Sequence, residues 1–143
     1  MTVLLWVFAI IIFLTYSFYF VKIILGKPEE FEYDLLKSLA AWMVSKGSRS
    51  RPQLWLLLFL SIILEIFYFT LVLTSIDQPV LIIITSFFAG VEAVHLTTVG
   101  ISFNKFFSGQ LLLKDMFNWK VERLSGLLFF THSLLVMICL AFY

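Results

Sequence analysis

Four predominantly apolar runs, over residues 2–25, 53–76, 80–103 and 121–143, restrict what this chain can fold into. Each exceeds the about 20 residues that a helix rising 1.5 Å per residue needs to cross a hydrocarbon core about 30 Å thick. In lipid such a run must satisfy all its backbone N–H and C=O groups internally, and the α-helix does so segment by segment. The sequence therefore predicts an all-α integral membrane protein, a four-transmembrane-helix bundle forming one membrane domain over 1–143. Composition agrees: 62% of residues are hydrophobic and 13% charged, against about 25% charged in soluble domains. The run 2–25 lacks the basic start and small-residue cleavage site of a secretory signal, and it reads as a retained anchor.

Orientation follows from the basic residues. Lys22, Lys27, Lys37, Lys46, Arg49 and Arg51 belong to the first connection or its edge, and Lys105, Lys114, Lys120 and Arg123 to the third. The short second connection, Asp77, Gln78 and Pro79, has none. Because basic residues accumulate on the cytoplasmic side, both long connections are expected there and both termini outside.

The first long connection contains helical periodicity over 29–46, with Phe31, Leu35, Leu39, Trp42 and Met43 on one stripe. Pro28 suits the first helical position, acidic residues occupy the first turn, and Gly47 suits the stop. An amphipathic helix on the cytoplasmic membrane surface is expected, with Phe31 and Trp42 in the interface and Lys46, Arg49 and Arg51 near anionic head groups. A second, less regular interfacial helix is expected over 110–119, after the break at Ser108 and Gly109.

The candidate site consists of Glu65, Glu92, His95 and His132, each near the centre of an apolar run. Charge at the bilayer centre costs at least about 2.5–3.5 kcal/mol per residue, so such groups face the bundle interior and mark function. Glu92 and His95 share a helix face at i, i+3. Glu-x-x-His is also the spacing of carboxylate metal sites in helical bundles. Two carboxylates and two imidazoles would fill a tetrahedral zinc shell or bind manganese or iron with open positions. The same groups could instead exchange protons, helped by hydroxyls such as Ser61, Tyr68, Thr85, Thr98 and Ser125. A third reading makes His95 and His132 the axial ligands of a b-type haem. In a fourth the polar centre only pairs helices and there is no cofactor.

Other chemistry is absent from the sequence. Ser133 beside His132 is no triad, because adjacent helical residues point about 100° apart. The single cysteine, Cys139, makes no internal disulfide. There is no phosphate-binding glycine loop, and a net charge of +1 gives no field for nucleic acid. The sequence thus indicates a small membrane protein with a buried Glu/His site, metal-binding or proton-handling. Its expected partners are the lipid bilayer and further copies or other membrane subunits. No reaction or catalytic residue is specified.

Overall fold

The computed structural model describes residues 1–142, and the described chain is all-helical. Four helices are long and apolar enough to cross a membrane: α1 (Thr2–Ile24), α3 (Ser50–Ser75), α4 (Pro79–Phe107) and α5 (Trp119–Phe142). The shorter α2 (Pro28–Lys46) precedes α3, separated from it by a 3₁₀ turn at Gly47–Arg49. The last residue of the expected run 121–143 lies outside the described residues.

Local chemistry explains the ends. Gly26, with φ +70°, closes α1: its N–H bonds to the Ile23 carbonyl, and the Lys27 N–H to the Lys22 carbonyl. This is the paired-bond termination that needs a left-handed residue, for which glycine carries no Cβ penalty. Pro79 opens α4, where its missing N–H costs nothing, and the Gln78 side chain accepts the Leu81 N–H at 2.7 Å.

The four long helices form a ring in which α1 touches α5 and α3, and α4 touches α3 and α5. The turn after α3, the start of α1 and the end of α5 meet at one end, where Thr2, Asp77 and Cys139 line a common cleft. The opposite end carries α2 and most of the charge. The central core is aromatic: Phe88 meets Phe69 at 5.2 Å and Phe129 at 4.8 Å between ring centres, and Tyr16 stacks on Phe129 at 4.9 Å. A second core at the charged end joins Leu54, Leu58, Phe103 and Met116 with Leu39, Trp42 and Met43 of α2.

The expected helix after Gly109 is not formed. Residues 110–119 form no helix on the surface. After Gly109 the chain makes only the 3₁₀ turn Leu113–Asp115, and Met116 turns inward to 1% exposure. The segment is short, and burying Met116 in the second core outweighs a single further turn of helix. Phe31 and Trp42, expected at the interface, also make protein contacts. Phe31 packs against the rings of Phe18 and Tyr19 at 5.5 and 4.9 Å, and Trp42 packs on the second core. Lys46, Arg49 and Arg51 are exposed, with Arg51 lying 5.8 Å over the Phe107 ring.

Candidate functional site

The four candidate residues fall into two groups. Glu92 and His95, one turn apart on α4, are joined by a 2.9 Å bond between Glu92 Oε2 and His95 Nδ1. The other ring nitrogen, Nε2, lies 2.9 Å from Oε1 of Glu122 at the start of α5. His95 therefore bridges two carboxyl groups on two helices. Glu65 of α3 shares one cavity of about 290 Å³ with His95 and Glu122, and makes no side-chain hydrogen bond among the described residues.

His132 stands apart. Its Nδ1 lies 2.9 Å from the Tyr68 hydroxyl and its Nε2 2.8 Å from Thr85 Oγ1. The Thr85 hydroxyl donates its one proton to the Leu81 carbonyl at 2.7 Å. It must therefore accept from His132, which places a proton on Nε2. With Tyr68 at Nδ1, His132 has both ring nitrogens satisfied, at 3% exposure.

One helix register explains the separation. Thr85 and His95 are ten residues apart on α4, and their partners His132 and Glu122 are ten apart on the antiparallel α5. Ten residues of helix span roughly 15 Å. The expected common depth of His95 and His132 is therefore wrong, and the two imidazoles do not face one haem. The four-donor shell of Glu65, Glu92, His95 and His132 is not assembled. Glu92 and Glu122 approach His95 from opposite ring nitrogens instead of converging with it. Among the described residues no group of three or more His, Cys, Asp or Glu is placed to hold a metal ion.

The Glu92–His95–Glu122 array is graded in exposure. The Glu92 side chain is 1% exposed, that of His95 11% and that of Glu122 23%. Glu122 and His95 line a cleft of about 580 Å³ that also contains Lys114, Asp115 and Lys120. At the inner end, Oε1 of Glu92 is buried without a hydrogen-bond partner. An imidazole bonded at both nitrogens to carboxyl groups can be an imidazolium between two carboxylates. It can equally be a neutral ring beside one carboxylic acid and one carboxylate. Both forms carry one net negative charge, and they differ only by moving protons along existing hydrogen bonds.

Sequence reasoning missed Glu122, as well as Glu32 and Arg123. Arg123 donates from Nε to both oxygens of Glu32 at 3.0 and 3.1 Å, and from Nη2 to Glu29 at 3.0 Å. Tyr19 donates to the same Glu32 carboxylate at 3.2 Å. This cluster ties α2 to α1 and α5. Its one sequence signal was Glu32 standing at i+1 to Phe31, off the polar edge of the α2 stripe.

Compared with protein-family models, curated proteins and solved structures, the chain matches none.

Proposed function

We propose that this chain is an integral membrane protein that takes up protons from the cytoplasmic side into a buried carboxylate layer, with Glu122 as the entry, His95 as the exchanger and Glu92 as the inner acceptor. The observation that carries the reading is the continuous hydrogen-bonded array with a solvent-facing carboxyl at one end and an unpartnered buried carboxyl oxygen at the other. Purely structural pairing fits His132, whose two ring nitrogens bond to side chains of two other helices, whereas the one side-chain hydrogen bond of Glu92 among the described residues is to His95 of its own helix. Divergent carboxyls on one imidazole likewise suit proton exchange better than convergence on a single ion.

Membrane insertion is supported by the outer face of the ring, where Leu14, Phe59, Ile83, Phe87 and Val94 are all more than half exposed. So continuous an apolar belt needs lipid around it. The basic residues argue for a cytoplasmic charged end, with both termini outside. Proton access is then one-sided: between His132 and the cleft at the hairpin end lie Val72, Leu81 and Val136, at 1%, 3% and 0% exposure. These three apolar side chains close that end among the described residues, so the arrangement suits uptake and storage of charge in place of free conduction.

Infrared difference spectroscopy of the reconstituted protein across a pH step tests this. In the wild type the carboxylic-acid and imidazole bands should change together. Glu122→Gln should uncouple them and slow proton exchange at His95 at least tenfold, with the helical spectrum unchanged. Bands that titrate independently in the wild type would sink the proposal.

A further inference from the structure

Between α3 and α4 a groove of about 570 Å³ opens on the outside of the bundle. Small-molecule sites typically have volumes of about 300–1,000 Å³. Its walls are mostly apolar, with Trp55 and Phe69 contributing aromatic surface and Thr70 and Thr97 two hydroxyls, and among the described residues Glu65 is the one ionisable side chain lining it. The space exists because α4 presents Ala89, Ala93 and Gly100 to it. Even a single Cβ on Gly100 would already touch Leu58 at 3.6 Å and Trp55 at 3.9 Å.

Glu65 has no ion-pair partner among the described residues. The titratable groups sharing its surroundings among the described residues are Glu92 and His95 on α4, Tyr16 and Tyr19 on α1, Tyr68 on α3 and Glu122 on α5. In either of the two forms described above the Glu92–His95–Glu122 array carries one negative charge, and an ionised Glu65 would add a second nearby. A positive charge in the groove would relieve that repulsion, and a low dielectric strengthens the attraction.

We propose that this groove binds a lipophilic organic cation, an aromatic or alkyl body bearing one positive charge, with Glu65 as its counter-ion. The apolar walls accept the body, and Phe69, one helical turn from Glu65 on α3, lines the groove beside the carboxyl group. A helix from a second copy fits less well, because it would seal Glu65 against apolar side chains without a partner. The proposal rests on the preceding reading in taking Glu65 as part of the same carboxylate layer.

Calorimetric titration of the purified full-length protein in detergent, with tetraphenylphosphonium and the equally shaped anion tetraphenylborate, decides the matter. The cation should bind saturably and at least tenfold more tightly than the anion. Glu65→Gln should remove that preference, Glu65→Asp should retain it, and Ala93→Leu should abolish saturable binding by filling the groove with Glu65 in place. Equal binding of both ions would overturn the proposal, as would unchanged cation affinity in Glu65→Gln or Ala93→Leu. So would Ala93→Leu converting a dimer to a monomer without cation binding in the wild type, which would identify a second copy as the occupant. Cation binding that persists while the infrared coupling of His95 and Glu122 is absent would remove the proton reading alone. Coupling without cation binding would remove this proposal alone.

Discussion

Glu92 and His132 show how little burial by itself says about role. Both are nearly inaccessible, yet His132 has a partner for each ring nitrogen while one oxygen of Glu92 has none. Replacing Thr85 by Val removes the acceptor for His132 Nε2–H. The expected cost is about 0.6–1.7 kcal/mol, on the scale of measured hydrogen bonds inside membrane bundles, with proton exchange at His95 unaffected. Glu92 should behave in the opposite way. Glu92→Gln keeps a hydrogen bond to His95 but removes the inner acceptor, so proton uptake past His95 should be lost while exchange at His95 through Glu122 continues and the thermal stability in detergent falls less than in Thr85→Val. If Glu92→Gln destabilised the protein as much as Thr85→Val while leaving uptake intact, Glu92 would be a helix tie like His132.

At the scale of elements, α2 is fixed by side chains far away in sequence. Arg123 of α5 holds Glu29 and Glu32, and Tyr19 of α1 completes the Glu32 carboxylate. The Arg123→Leu substitution leaves a carboxylate at 4% side-chain exposure without its cation. Loss of charged hydrogen bonds of this kind costs roughly 1.5–3 kcal/mol. Hydrogen exchange over Pro28–Lys46 should then accelerate, while that of α4 should not. Acid should have a milder effect of the same sign. The Glu29 carboxyl is held below its ordinary value, chiefly by its own backbone N–H and further by Arg123. A depressed folded-state value gives stability that is present above the unfolded value and is lost as pH falls through the folded one. Protection of the first turn of α2 should therefore fade at acid pH, and this part of the effect should disappear in Glu29→Gln.

The whole molecule is a ring of four long helices with charge at one end and a bare hairpin at the other. Reporter tags at Met1 and Tyr143 of the protein in intact cells should be reachable from outside, and cysteines introduced at Arg49 and Lys114 only from the cytoplasm. Labelling of either position from outside would reverse the direction of proton entry proposed above. The Glu92–His95–Glu122 geometry would be untouched. Close approach of α1 and α5 underlies the ring: a Cβ on Gly126 would lie 3.0 Å from the Tyr19 ring. That ring must stay in place for Tyr19 to reach Glu32.

The sequence by itself determined what depends on runs and short spacings. Four apolar stretches of spanning length became four long helices, because backbone hydrogen bonding is local. Pro28 and Gly47 mark helix ends as expected. The i, i+3 spacing of Glu92 and His95 became a direct bond, since 3.6 residues per turn puts both on one face. Even the helix of the first connection was legible, although its apolar stripe turned out to pack partly on the bundle. The tertiary structure alone decided which faces meet and at what axial offset. Glu122 joins His95 across 27 residues, Tyr68 joins His132 across 64, and Arg123 joins Glu32 across 91. Depth judged from the centre of each apolar run placed His95 and His132 together. The α4–α5 register instead sets them roughly three helical turns apart. That register follows from how aromatic side chains such as Phe88 and Phe129 interlock between helices. Periodicity within one helix carries no information about it.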